Sequence, residues 1–235
     1  GQLTDPNEII MTIDVVSNLA SVGENQAMLT ESGVASSLVS TIASVASQEA
    51  GVNPSKSIIL SSAVRGLGKV AKYTDVGVEL NATQWVAHVL RTEADHDASL
   101  ASLECIRDMS SSAPHHAQAF SEQNTVELVT WKMASMPQDQ AIQLAGMEAL
   151  NAMSGRLSAS YATTESSRAV SDKIYNNNGV ALSQTILTEH LIAPETAEMS
   201  EIRAAVQAVL VLESVASCGE GLSSEAIRQV LDMAT

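Results

Sequence analysis

Catalysis and metal binding need ionisable or nucleophilic side chains that converge, and the sequence offers few candidates. It holds five histidines and two cysteines. His88, His96 and the pair Asp95 and Asp97 fall in one short stretch, and imidazole with carboxylate is a donor set that holds zinc. Their spacing straddles a predicted turn and matches no ligand motif, so surface histidines beside an acidic turn are the plainer reading. His115 and His116 are adjacent and diverge by about 100° on a helix, which is poor geometry for one shared ion. Cys105 sits within an apolar stripe and reads as a small core residue rather than a nucleophile. Asn81-Ala82-Thr83 fits the glycosylation pattern, but no signal peptide is evident to give it use. A different chemistry is offered by acids: Asp14 with Asn18, and Glu104 with Asp108, lie four residues apart and share one side of a helix. Such a side attracts cations.

Charge narrows the partner classes. Twelve Lys and Arg against 27 Asp and Glu leave a formal charge of −15. Binding to nucleic acid or to an anionic membrane surface needs clustered Lys and Arg, and the nearest thing is Arg65, Lys69 and Lys72 along one helix face. No apolar run approaches the roughly 18 residues of a membrane span; the longest, Ala204 to Leu212, is broken by Gln207. Cys105 and Cys218 lie far apart, which with no signal peptide predicts a reduced intracellular, cytoplasmic protein. Hydrophobic residues make up 45% of the chain but aromatics only 3%, so the core is aliphatic.

These residues are positioned by helices. Ile9, Ile13, Val16 and Ala20, flanked by Ile10 and Leu19, recur at three- and four-residue spacing behind an Asp5, Pro6, Glu8 start signal. Glu24 to Glu31 predicts a short second helix, and Val34, Leu38, Ile42 and Val45 a third after Gly33. A second unit opens at Asn53 and Pro54, with Ile58, Ile59, Ala63, Leu67 and Val70, a short helix over Val78 to Asn81, and a helix carrying Trp85, Val89 and Leu90. A third follows the acidic turn and carries Leu100, Leu103, Ile106 and Met109; a fourth follows Pro137. The apolar residues Leu19, Leu67, Met109 and Met153 are separated by 48, 42 and 44 residues. From Ser154 to Asp172 the Ser, Ala and Thr content predicts a long loop or irregular insertion. Helical order resumes near Ile174, and Ile202 to Val215 is nearly all apolar.

The segments VVSNLAS (Val15 to Ser21) and ESGVASSLVSTI (Glu31 to Ile42) resemble armadillo repeats, three-helix units of roughly 40 to 47 residues that stack into a right-handed α-solenoid. The resemblance implies an all-α fold of about four to five repeats, with residues 1–235 forming one repeat domain and 154–172 inserted. It also implies that the third helix of each unit lines a concave groove, where an Asn near its end holds a bound peptide backbone. Asn18 matches that place; Gly66, Asp108, Ala152 and Ser214 stand at its equivalents. Where importin-alpha-like adaptors carry a Trp one turn earlier, this chain has Asp14, Ser62, Glu104, Glu148 and Leu210, which disfavours nuclear import.

What remains on that face is acid: Asp14, Glu104, Asp108 and Glu148, with Asn18. Unpaired carboxylates there would attract a basic peptide; solvated helix faces on an acidic protein are the competing reading. The expected function is a non-enzymatic adaptor or scaffold that binds a protein partner and needs no cofactor. The alternatives are a structural subunit of a large assembly held by its outer faces, or an enzyme built on the His88 to Asp97 cluster.

Overall fold

The computed structural model describes residues 5–49, 53–72, 81–155, 165–191 and 199–218. Among them are twelve α-helices and no strand. They are α1 (Pro6–Ala20), α2 (Gln26–Glu31), α3 (Val34–Ala46), α4 (Lys56–Ala71), α5 (Ala82–Thr92), α6 (His96–Ser112), α7 (Pro114–Glu122), α8 (Thr125–Ser135), α9 (Gln140–Met153), α10 (Glu165–Asn176), α11 (Gly179–Leu191) and α12 (Met199–Cys218).

Local chemistry sets the helix starts. Asp5, Asp95 and Asp139 accept the amide hydrogens of Asn7, Ala98 and Ile142 at 2.8, 3.1 and 3.1 Å, capping α1, α6 and α9. A second device marks α3, α5, α8 and α11. Each is preceded by one residue in the left-handed region: Gly33, Asn81, Asn124 and Asn178, at φ 72°, 54°, 56° and 63°. Glycine and asparagine tolerate that region best, so the same sharp turn recurs once per unit. Asn81 therefore opens α5 and does not end a short helix; the rest of the expected Val78 to Asn81 helix lies outside the described residues.

The expected loop over 154–172 is shortened at its far end. Glu165 to Asp172 belong to α10, because Val170 and Ile174, one turn apart, both bury against the core and give an otherwise polar segment its stripe. Residues 156–164 lie outside the described set.

The long helices α1, α4, α6, α9 and α12 pack in a row, each on the next, while α3 packs on α4 and α11 on α12. Leu67, Met109 and Met153 are all buried in this stack. Leu19, at the matching place on α1, is not: it is exposed. The stack is tight enough to need glycine. A Cβ on Gly68 of α4 would lie 3.0 Å from the Cα of Cys105 on α6, backbone against backbone. Gly68→Val therefore forces two neighbouring helices apart and should cost about 1–3 kcal/mol in urea unfolding. Gly23→Ala, with no atom within 4 Å of the new methyl, should change stability by less than about 0.5 kcal/mol.

Candidate functional site

The row of long helices carries two parallel lines of side chains. One turn earlier than Asp14, Ser62, Glu104, Glu148 and Leu210 stand Ile10, Ile58, Leu100, Leu144 and Val206. Ile58 and Val206 are exposed; Ile10, Leu100 and Leu144 are half-buried against the core edge. Beside this aliphatic line runs an ionic one. Arg65 Nε of α4 donates to Glu104 Oε2 of α6 at 3.0 Å. Arg107 of α6 donates to Asp108 Oδ1 at 2.8 Å and to Glu148 Oε2 of α9 at 2.7 Å. Arg203 of α12 donates to the other oxygen of Glu148, Oε1, at 2.7 Å. Asn151 Nδ2 extends the link between α9 and α12, donating to the Gln207 carbonyl at 2.8 Å.

The expected unpaired carboxylates are thus mostly paired. Glu104, Asp108 and Glu148 each meet an arginine, because a carboxylate leaving water on a packed helix face must find a cation or hydrogen bonds. Asp14 and Asn18 are exposed on α1, and Asp14 makes no ion pair among the described residues. The structure joins Asp108 and Glu148 through Arg107, pairs Glu104 separately with Arg65, and leaves Asp14 and Asn18 outside both. Burial opposes the charge of Arg107, but Asp108 and Glu148 outweigh it and hold the guanidinium firmly protonated. Three of the places implied for a groove asparagine face neighbouring helices. Gly66 lies against Ser17 and Ile13 of α1, Ala152 is fully buried, and Ser214 shares a hydrogen bond with Ser171 at 3.2 Å. Arg107 and Arg203 are the residues sequence reasoning missed. Arg107 pairs with the adjacent Asp108 and with Glu148 of α9, and neither pairing has the i, i+3 or i+4 spacing that signals a helix-face contact.

His88 and His96 go to separate neighbours, whereas the rings of His115 and His116 meet edge-on with centroids 4.3 Å apart. His96 Nδ1 lies 3.0 Å from Asp97 and Nε2 3.0 Å from Asp139 at the start of α9. Asp95 caps α6, and the Ser57 hydroxyl with the Ala98 amide holds it below the usual carboxylate range. His88 stacks edge-on to Trp85, ring centroids 5.6 Å apart. Both line an open cleft of about 580 Å³ with Lys56, Arg91 and Glu93. Among the described residues no three His, Cys, Asp or Glu side chains gather as metal ligands. His116 is buried, its Nδ1 3.1 Å from the Met109 carbonyl. Cys105 is buried with its Sγ 3.6 Å from Met109 Sδ, and burial pushes its thiol well above the ordinary range, away from nucleophilic chemistry. Trp85 is half-buried and Trp131 exposed.

No family model and no curated protein matches the sequence. Solved structures do. An engineered protein of the Northeast Structural Genomics Consortium superposes with a TM-score of 0.71 at 16% identity, over 98% of this chain and 81% of that one. The designed armadillo repeat protein YIII(Dq)4CqI gives 0.67 at 14%, over 99% and 94%. The designed armadillo repeat protein YIII(Dq.V1)4CPAF, in complex with the peptide (KR)4, gives 0.66 at 13%, over 98% and 93%. The fold is a right-handed armadillo-like α-solenoid, and among the described residues no helix is long and apolar enough to cross a membrane.

Two outcomes follow for the network. The Glu148 side chain, 9% exposed, holds two arginines, whereas that of Arg203 is 59% exposed. Glu148→Ala should cost about 1–3 kcal/mol by urea unfolding, and Arg203→Ala less than about 1 kcal/mol. At the α6–α9 corner, the Asp97 hydrogen bond and the Asp139 charge raise the His96 pKa above its ordinary 6.5. Its contribution to stability is therefore complete below pH 6.5 and lost as pH rises through the raised value. His96→Gln should remove this loss, leaving an unfolding midpoint less dependent on pH across that window.

Proposed function

We propose that the chain is a non-enzymatic adaptor that holds an extended segment of a partner protein along the concave face formed by α1, α4, α6, α9 and α12. The observation that carries this reading is the pair of parallel lines on that face, an aliphatic one repeated on each long helix and an ionic one linking α4, α6, α9 and α12. Aliphatic side chains left at a surface in register are a cost to a protein with no ligand for them. A peptide-bound designed solenoid of the same fold supports the reading by analogy of fold alone. The buried thiol of Cys105 and the separate engagements of His88 and His96 give an enzyme little to work with.

The residues proposed to meet the partner are Asp14, Asn18, Glu104, Asp108 and Glu148, as expected from sequence, now joined by the aliphatic line. The chemistry of the partner shifts accordingly. Glu104, Asp108 and Glu148 are matched by Arg65, Arg107 and Arg203, so a purely basic peptide must displace arginines to gain an acid. A segment that sets aliphatic side chains on Ile58, Leu100 and Leu144 and offers both charges to the ionic line fits better than one of lysine and arginine only. In this reading residues 1–235 act as one repeat domain within a reducing intracellular compartment.

Peptides selected from a random library against the folded chain provide the test. They should be rich in aliphatic residues, and their affinity, read by fluorescence anisotropy, should fall at least tenfold on Glu104→Lys with Asp108→Lys. The control pair Glu122→Lys and Glu127→Lys makes the same charge change on exposed positions of α7 and α8 and should leave affinity unchanged. Circular dichroism verifies that both variants are folded. Equal binding to both would move the interface to the outer faces, where a structural subunit of an assembly would be held.

A further inference from the structure

The cleft at His88 lies apart from the concave groove. Trp85, His88 and Arg91, three residues apart, share one side of α5 and form its floor, while the ends of α3 and α7 and Lys56 at the start of α4 close it in. Of the long helices in the row, only α4 reaches it, through Lys56. Its volume of about 580 Å³ falls in the range that small-molecule sites occupy. Trp85 serves two surroundings: one part of the half-buried ring packs on the core, and another lines the cleft.

The lining inverts the charge of the molecule. In a chain at −15 it sets Lys56, His88 and Arg91 against a single acid, Glu93. That acid is already engaged, its Oε1 lying 2.9 Å from Lys56 Nζ, and Lys56 also donates to the Gln48 carbonyl at 3.1 Å. With His88 neutral, Lys56 and Arg91 against Glu93 leave one net positive charge. Arg91 carries it: the residue is exposed and, among the described residues, makes neither an ion pair nor a hydrogen bond. Arg65, Arg107 and Arg203, by contrast, each meet a carboxylate. The His88 ring stands edge-on to Trp85 at 82°, and its nitrogens make no hydrogen bond among the described residues. A guanidinium, an imidazole and an indole thus share one cleft with their donors and ring surface uncommitted. We propose that this cleft binds a small molecule in which a planar ring carries an oxyanion, carboxylate or phosphate. The ring lies against Trp85, and the oxyanion takes the forked donors of Arg91 with a hydrogen bond from His88. The acidity of the whole chain repels polyanions, whereas one charge on a small ring responds to the cation within a Debye length of it. The site does not rest on the groove reading.

Tryptophan emission reads this site directly. Trp131→Phe, at a position 53% exposed and so compatible with folding, leaves Trp85 as the one tryptophan of the chain. The probes are adenosine monophosphate and nicotinate, beside their uncharged twins adenosine and nicotinamide, with inorganic phosphate and acetate as ring-free anions. At least one charged ring should change Trp85 emission and bind at least tenfold tighter than both its uncharged twin and its ring-free anion. Arg91→Gln should weaken that binding at least tenfold. Arg168→Gln makes the same charge change on an exposed residue of α10 and should leave it unchanged. Circular dichroism checks that each variant is folded. Binding of neither charged ring, equal affinity for the uncharged twin or the ring-free anion, or equal loss on Arg168→Gln would overturn the proposal. So would binding seen by calorimetry that leaves Trp85 emission unchanged, since the ring would then lie elsewhere.

Discussion

An aliphatic stripe on a single helical unit cannot leave water within that unit, and this constraint organises the whole molecule. With one phenylalanine and few other aromatics, burial must come from many small contacts rather than a few large ones. Neighbouring units must then approach closely, which is why Gly68 meets the Cys105 backbone and why Gly66 nestles against Ser17 and Ile13. The aliphatic and ionic lines along the long helices are held in register because the helices carrying them cannot slide.

Cations are the scarce resource, and the fold commits half of them. Of twelve Lys and Arg, three arginines bind the long helices together: Arg65, Arg107 and Arg203. Three lysines serve helix C-terminal regions in neighbouring elements. Lys56 donates to the Gln48 carbonyl at 3.1 Å, Lys132 to the Glu93 carbonyl at 2.9 Å, and Lys173 to the Ser121 carbonyl and hydroxyl. Carbonyls there have no partner within the helix and carry the negative end of its dipole, so a buried ammonium finds good company. Burial still pulls the Lys132 pKa below its ordinary value, with the nearby Glu93 opposing the shift. With half of its cations committed to these contacts, the molecule keeps an excess of acidic side chains at its described surface.

Helical periodicity made the architecture legible: the unit length, the long helices and the turn at Gly33 follow from spacing and backbone preference, whereas Asn81, expected to close a short helix, instead makes the left-handed turn that opens α5. The ionic line was legible only on its acidic side. Glu104 and Glu148 fell at one register with Asp108 a turn later, but their partners are Arg65 of the previous long helix, Arg107 adjacent to Asp108 and 41 residues before Glu148, and Arg203 55 residues after Glu148, and pairing across helices leaves no periodic trace. Gly66, Ala152 and Ser214 were harder still, since the rotation of a helix about its axis depends on neighbours it has not yet met. The start of α10 was missed because two apolar residues, Val170 and Ile174, suffice where a neighbouring helix supplies the rest of the core.

The left-handed residues Gly33, Asn81, Asn124 and Asn178 have a bearing on how the chain reaches its structure. Each makes its turn from its own neighbours, so a unit can begin forming before any other is present. The arginine links join residues 39, 41 and 55 positions apart and can close only once two units exist. Folding then resembles crystallisation along a line: nucleation within whichever unit forms first, and growth outward by addition of neighbours.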